Sequence, residues 1–287
     1  MDVWLEKTRI LEALKGHVQA TDDPAEAAEL KRYTEAFYRP AYPADLIATS
    51  TRRLAQIAQT CWEAAVLRPK GTPLIKVWNN DPDPTHGTPG RTMILLVNDD
   101  KPFLVDSVTA GLTSMGLDIH LIHHPTIRSW RDDAGKRLRT MSVEKDNEDL
   151  PTADIDGTVR ESIIYIESER RGPKMRERIE SELTEIISDV SAAVDDWHRM
   201  QGELHQAIQG LNANPPDVEP EELAETFAFL KWVADNNFIL LGYREYGMDG
   251  DLTDPSFMPE MKHGLGVLRD PERLIWRGPD GFTVMSE

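Results

Sequence analysis

Residues 91–127, RTMILLVNDDKPFLVDSVTAGLTSMGLDIHLIHHPTI, decide the fold of this chain. Two apolar runs, 93–97 and 117–127, predict one strand each. Between them apolar residues recur at helical spacing as far as Gly116, after a polar turn over 98–102. A strand, a helix and a second strand in this order form a βαβ unit.

The neighbouring residues extend this unit into an α+β domain. Residues 73–78, PLIKVW, predict a strand that forms a hairpin with 93–97, and residues 162–166, SIIYI, predict another strand. A single apolar stripe predicts one long helix over 173–200. The order ββαββα, with two helices on one face of a four-stranded antiparallel sheet, is typical of a ferredoxin-like sandwich. In this arrangement the strand at Leu74 takes the edge position.

The flanking segments divide the chain further. Residues 1–67 predict helices, one of them capped by Asp22 or Asp23 ahead of Pro24, and Cys61 belongs to an apolar helical stripe. Residues 131–158 predict a loop, and residues 212–220, NANPPDVEP, predict a linker. Residues 237–246, 266–268 and 282–284 predict short strands. We therefore expect a helical segment over 1–70, the α+β domain over 71–205, a helical linker over 206–235, and the start of a second mixed module over 236–287.

Composition excludes several classes of protein. The net charge of −18 opposes binding to nucleic acid or to anionic membranes. No stretch is apolar enough to span a membrane, and the first residues lack the pattern of a signal peptide. A single cysteine allows no internal disulfide, which favours a cytoplasmic location.

The chain also lacks the short motifs of common enzyme classes. There is no GxGxxG after a strand, no P-loop and no nucleophile elbow. The glycine-rich fragment at 264–266 has no third glycine. We therefore expect no catalytic residue and no cofactor site in these residues.

The sequence VNDDKPFLVDSVTAGLTSMGLDIHLIHHPTI resembles the N-terminal region of the large bacterial NAD-dependent glutamate dehydrogenases. ESIIYIE at 161–167, DNNFILLGYREY at 235–246 and GLGVLRD at 264–270 agree with it. The resemblance implies an ACT-type regulatory domain, a following module that is PAS-like, and catalytic and NAD-binding domains farther downstream. It also implies self-association into a homo-oligomer through ACT-like surfaces and an amino acid as a possible effector. The unfinished strand pattern near Glu287 agrees with a chain that continues.

The candidate ligand or interface residues lie in the turn and in the strand that follows the helix. ACT domains often bind amino acids at the turn before the first helix, where free N–H groups favour a carboxylate. Here two carboxylates and bulky side chains oppose such binding, and the alternative is that Asp99 or Asp100 caps the helix with Pro102 in its first turn. The histidines do not share one face, so we expect no metal. The candidate residues are Asn98, Asp99, Asp100, Lys101, Pro102, Phe103, His120, His123 and His124.

Two functions follow from these observations. The first is a non-catalytic regulatory and oligomerisation region of a large NAD-dependent glutamate dehydrogenase, inactive by itself. The alternative is an amino-acid-binding ACT sensor that acts on its own.

Overall fold

The computed structural model describes residues 3–17, 23–82, 90–143, 157–249, 256–259 and 264–273. The chain divides into two compact units, 1–186 and 187–287. The four segment boundaries expected from the sequence stay predictions. Within the described residues, no helix combines the length and the apolar character that a membrane crossing requires.

The first unit begins with four helices and continues into a six-stranded sheet. The helices are α1 (Val3–His17), α2 (Pro24–Tyr38), α3 (Pro43–Ile47) and α4 (Thr51–Ala64). The elements that follow are β1 (Leu74–Asn79), β2 (Arg91–Asp99), α5 (Leu104–Ser114), β3 (Ile119–His123), β4 (Thr126–Arg131), β5 (Arg137–Ser142), β6 (Thr158–Glu169) and α6 (Pro173–Asp195), which runs on into the second unit.

The sheet is antiparallel throughout, in the order β1-β2-β6-β4-β5, with β3 also paired to β6. The predicted hairpin is confirmed, with Leu74 opposite Val97 at the edge. β2 and β3 both run antiparallel to β6, so they are parallel to each other and α5 forms the crossover between them. The α+β class and the antiparallel sheet are therefore as the sequence predicts.

Helices cover both faces of the sheet: the two helices expected on one face, α5 and α6, lie together there, and the N-terminal helices cover the other face. Met93, Leu95 and Val97 lie in one apolar cluster with residues of the four N-terminal helices. Strand alternation turns Ile94 and Leu96 to the other face, and both are buried. Helices α5 and α6 cover that face, and their buried apolar residues include Val108, Leu112, Ile179 and Leu183. β2 is thus buried on both sides because it lies between two helical layers.

The predicted single strand over 117–127 is wrong, because it is two strands. Pro125 has no N–H group for a ladder, and the chain breaks at His124 and Pro125. β3 then pairs with the C-terminal half of β6, and β4 pairs with its N-terminal half. This explains why β6 extends well beyond the predicted 162–166.

The predicted loop over 131–158 is also wrong in part, because it contains β5. The sequence RLRTMS carries no apolar alternation. The strand forms because β4 supplies a pairing partner and because Arg137 packs beneath aromatic rings, at 3.5 Å from the Trp62 ring centroid. Tertiary contacts outweigh local pattern here.

Two local predictions for the N-terminal helices are confirmed. The Asp23 side chain accepts a hydrogen bond from the Ala25 N–H at 2.8 Å, with Pro24 in the first turn of α2. Cys61 is fully buried in the apolar cluster, where burial raises the pKa of its thiol far above the ordinary value. It is a core residue and not a reactive thiol.

The described residues of the second unit are mostly helical. It contains the end of α6, then α7 (Trp197–Ala213), α8 (Pro220–Trp232), a π-helical turn (Val233–Asn237), the short strands β7 (Gly242–Tyr243), β8 (Tyr246–Asp249), β9 (Ser256–Pro259) and β10 (Leu265–Gly266), and a 3-10 turn (Val267–Arg269).

Three predictions in this unit need correction. The helix expected over 173–200 is interrupted at Asp196 and continues as α7 to Ala213. The strand expected over 237–246 is reduced to the two-residue β7 and the first residue of β8, and Asn236 just before it adopts a left-handed conformation within the π-helical turn that follows α8. The strand expected over 266–268 ends at Gly266, and residues Val267–Arg269 form the 3-10 turn instead. The strand expected over 282–284 lies outside the described residues.

Candidate functional site

The candidate turn lies where β2 leaves the sheet and α5 begins. Asn98 and Asp99 are the last residues of β2, and Asn98 is only 4% exposed. Lys101 is half-buried, whereas Pro102 and Phe103 are exposed. The turn therefore presents two apolar side chains to solvent and directs its polar side chains toward the protein.

The prediction that Asp99 or Asp100 caps α5 with Pro102 in its first turn is wrong. Phe103 is the N-cap residue, and Leu104 is the first helical residue. The Asp100 N–H donates to the Arg160 carbonyl oxygen at 2.9 Å, so the chain stays paired one residue beyond β2 and reaches the helix too late for either aspartate to cap it.

Phe103 adopts a left-handed backbone conformation with φ 67° and is 44% exposed. For a bulky side chain this conformation costs roughly 1–2 kcal/mol. Such strain persists only where surrounding contacts fix the backbone. At this turn Asp99 and Asp100 provide those contacts, because each is held by an arginine.

Asp99 is bound to a buried arginine from the end of the N-terminal helical segment. Arg68 is fully buried, and its Nη2 lies 2.7 Å from Asp99 Oδ1. Its Nη1 donates to the Thr72 carbonyl oxygen at 3.1 Å, and its Nε donates to Glu161 Oε1 at 2.6 Å. Each of the three guanidinium nitrogens therefore donates a hydrogen bond to another group of the protein.

Glu161 is the centre of this buried network. It is 1% exposed and accepts from Arg68 and from Arg131, whose Nε and Nη2 lie 2.8 and 3.1 Å from its two carboxylate oxygens. Burial by itself raises the pKa of Glu161, but the hydrogen bond and charge of Arg131, together with the charge of Arg68, outweigh it, so the pKa is lowered. The carboxylate is ionised at neutral pH and joins strands β4 and β6 to the chain after α4.

Arg137 is a further buried charge near this network, on the sheet face that the N-terminal helices cover. Its Nη2 donates to the Trp62 carbonyl oxygen at 2.6 Å, and the guanidinium also lies over the Tyr33 ring. Burial lowers the pKa of Arg137 to about 10, which still leaves it charged at neutral pH. Contacts of this kind with aromatic faces stabilise a cation where water is excluded.

Asp100 is bound on the opposite side of the sheet from Asp99. Its Oδ2 lies 2.9 Å from Arg160 Nη2, and its Oδ1 accepts from the Thr126 hydroxyl at 3.4 Å. Arg160 precedes Glu161 in β6, so strand alternation places the two residues on opposite faces. The adjacent aspartates of the turn thus neutralise arginines on both faces of the sheet.

The three histidines lie in different environments. His120 and His124 are exposed, whereas His123 is 4% exposed and its ring makes edge contacts with Tyr38 at 5.2 Å and Phe37 at 6.0 Å between centroids. Nε2 of His123 has no hydrogen-bond partner among the described residues. In that part of the chain, no three potential ligands among His, Cys, Asp and Glu form a group able to hold a metal.

The buried His123 makes stability depend on pH. Burial lowers its pKa, and the charge of His124 acts in the same direction, against the opposing effects of Asp45 and Glu167. Below about pH 6.5 the unfolded chain binds a proton that the folded imidazole resists, so the free energy of unfolding decreases as the pH falls below that value. We expect His123→Phe, which keeps an aromatic ring, to reduce this decrease in urea unfolding between about pH 7 and about pH 5.

The matched control for this experiment is His120→Phe, at an exposed position of the same strand. It should leave the pH dependence unchanged. An unchanged pH dependence in His123→Phe would contradict the assignment.

The glycine fragment at 264–266 is already used by the protein. The Gly266 N–H donates to Asp196 Oδ2 at 2.8 Å, and the same carboxylate accepts from Arg269 Nε and Nη2 at 2.6 Å each. A side chain at Gly264 would collide with the Leu268 carbonyl oxygen. These backbone groups therefore do not fit a dinucleotide pyrophosphate, which needs free N–H groups and an open approach.

Sequence reasoning missed Arg68, Arg131 and Glu161. Glu161 begins the apolar run ESIIYIE, and a charge at the start of a buried strand is the only local signal it gives. Arg68 lies 93 positions from Glu161, and nothing in either neighbourhood indicates the pairing. As a whole, the site is a set of paired charges that fixes the turn, and its described residues contain no nucleophile next to a base.

The chain matches a known protein family over the region that contains this site. The family model described as "Glutamate dehydrogenase, ACT1 domain" matches residues 33–183, from within α2 to within α6. The matched range therefore includes the whole sheet, the candidate turn and the buried network.

Three curated relatives share the name NAD-specific glutamate dehydrogenase. The protein of Halomonas elongata is 32% identical over 262 residues, which are 91% of this chain and 16% of the relative. The protein of Pseudomonas aeruginosa is 25% identical over 76% of this chain and 13% of its own length. The protein of Mycobacterium tuberculosis is 26% identical over 70% of this chain and 12% of its own length. The chain thus spans a small part of the length of these relatives.

Proposed function

The chain belongs to the glutamate dehydrogenase ACT1 domain family, and from this membership we propose that it is the N-terminal, non-catalytic regulatory region of a large NAD-dependent glutamate dehydrogenase. The parent reaction would be the oxidation of L-glutamate by NAD to 2-oxoglutarate and ammonia. The observation that carries this proposal is the match of 91% of the chain to only 16% of a relative that is named for this activity. A cytoplasmic location is part of the same proposal.

We further propose that the first unit is an ACT-type domain with a ferredoxin-like sandwich at its centre. The order β1-β2-β6, followed by β3 and β4, supports this, with β1 in the edge position that a final strand usually occupies. The N-terminal helices add a layer on the second face. A PAS-like identity for the residues from 236 onward stays a prediction.

The regulatory proposal includes self-association into a homo-oligomer through ACT-like surfaces. Among the described strands, none pairs with the outer side of β3, and an open sheet edge can pair with a second chain. A bulge at His120 limits this edge to a short stretch. Light scattering after size-exclusion chromatography should show a mass that rises with concentration.

Matched variants test the surface. His120→Lys places a charge on the edge and should lower the association, whereas Thr113→Lys adds the same charge on the exposed face of α5 and should not. A mass that stays monomeric at all concentrations would contradict self-association.

The alternative function is an amino-acid sensor that acts on its own through the turn over 98–103. The strained, exposed Phe103 favours it, because strain of this kind is common at ligand sites. Against it, Arg68 and Arg160 are already bound to the two aspartates of the turn, so neither guanidinium is available there to a ligand carboxylate.

Calorimetric titration of the chain with a panel of amino acids separates the two functions. Tight binding that is lost in Asp100→Lys or on replacement of Pro102 would favour the sensor. Absence of binding, together with a concentration-dependent mass, would favour the regulatory and assembly region.

A further inference from the structure

Three arginines lie side by side on the sheet face that Asp100 shares. Arg160 of β6 and Arg128 of β4 are direct cross-strand partners. Arg139 of β5 stands opposite Trp130, two positions along from Arg128, and its guanidinium carbon lies 5.3 Å from the Trp130 ring centroid. Side chains at these opposite and diagonal positions are within reach of each other.

Alternation confirms that the three share one face. The Nη1 of Arg128 donates to the Thr158 hydroxyl at 3.1 Å, and Thr158 lies two residues before Arg160 on the same side of β6. This side faces away from the network around Glu161. The three guanidiniums therefore form one cluster, which we call the arginine platform: Arg128, Arg139 and Arg160.

The three positive charges of the platform outnumber the carboxylates that the structure describes next to them. Asp100 is bound to Arg160, and no described carboxylate lies within ion-pair distance of Arg128 or Arg139. Arg128 is only 8% exposed, although a buried charge is normally paired. Two like charges directly opposite each other on neighbouring strands also destabilise a sheet. Such an excess is unusual in a chain with a net charge of −18.

We propose that the arginine platform binds a small dianion, a dicarboxylate or a phosphate. Two guanidiniums remain once Asp100 has neutralised Arg160, and their planar donor forks match carboxylate and phosphate oxygens. Arg128 forms the floor of the site, Arg139 is exposed and meets the ligand from solvent, and the Trp130 ring holds Arg139 in place. This site adjoins the turn over 98–103 through the Arg160–Asp100 pair, but its two remaining guanidiniums, Arg128 and Arg139, lie outside the turn. The proposal does not depend on the proposed function.

Calorimetric titration of the chain at constant ionic strength tests the proposal with three probes: succinate, inorganic phosphate and acetate. One of the two dianions should bind, and acetate should bind much more weakly because it neutralises one guanidinium only. Preference for succinate would assign a dicarboxylate site, and preference for phosphate would assign a phosphate site.

Variants locate the binding. Arg139→Gln should weaken the dianion about tenfold or more, the loss expected for a charge-assisted hydrogen bond, and Arg128→Gln should do the same. Arg178→Gln removes an exposed arginine of α6 and should change nothing. Because Arg139 is exposed, its variant should fold even where Arg128→Gln does not, and thermal melting of each variant checks this.

Two results would overturn the proposal. One is a wild-type chain that binds neither dianion, which would mean that the protein's own acidic residues compensate the platform. The other is binding that Arg139→Gln leaves unchanged while the variant is folded.

Discussion

Glu161→Ala is expected to lower the free energy of unfolding by about 3–5 kcal/mol, because it leaves two buried guanidiniums without their shared carboxylate. Arg68 and Arg131 are 0% and 4% exposed in their side chains, so water cannot replace the lost partner. Among the described carboxylates, Asp99 alone would remain bound to Arg68. Urea unfolding at neutral pH measures the change.

The control for this variant is Glu182→Ala. Glu182 is half-buried on α6, with its side chain 43% exposed, and it lies 3.6 Å from Arg178 one helical turn away, a kind of pair that contributes roughly 0.3–0.5 kcal/mol. A loss for Glu161→Ala no larger than the loss for this control would mean that the network does not hold the first unit together.

Gly135→Ala is expected to destabilise the protein by on the order of 3 kcal/mol, through backbone strain. Gly135 has φ +84°, and an added Cβ would lie 2.5 Å from the Arg68 carbonyl oxygen and 2.6 Å from the Pro69 nitrogen. These backbone atoms cannot move freely, because the Arg68 N–H donates to the Gly135 carbonyl oxygen at 2.9 Å. Thermal and urea unfolding should both show the loss.

Gly71→Ala separates the two causes of that loss. Gly71 has φ +73°, but no described atom lies within 4 Å of the position that an alanine Cβ would take, so it reports only the cost of a left-handed alanine, roughly 1–2 kcal/mol. Gly135→Ala should exceed it clearly. Equal losses would mean that the turn after β4 can shift away from Arg68.

The strands and helices that can be predicted are those whose burial follows a local period. β2, α5 and α6 show continuous or 3.6-residue apolar patterns, and the helical character of the N-terminal residues follows from caps such as Asp23. Such patterns report which face of a segment is buried, and that information is local.

The candidate site can be predicted only in part. The polar residues of the turn over 98–103 mark its position, but the roles of Asp99 and Asp100 depend on Arg68 and Arg160, which lie far away along the chain. β5 escapes prediction for the same reason, because Arg137 is buried by Trp62 and not by any pattern of its own. Long-range pairing of charges leaves no periodic signal in the sequence.

The most direct test of the central proposal is NADH formation by the 287-residue chain supplied with glutamate and NAD, beside the Halomonas elongata NAD-specific glutamate dehydrogenase at equal molar concentration. A non-catalytic regulatory region predicts no NADH above the blank from the chain, while the relative turns over. NADH formation that increases in proportion to the concentration of the purified chain would contradict a non-catalytic role.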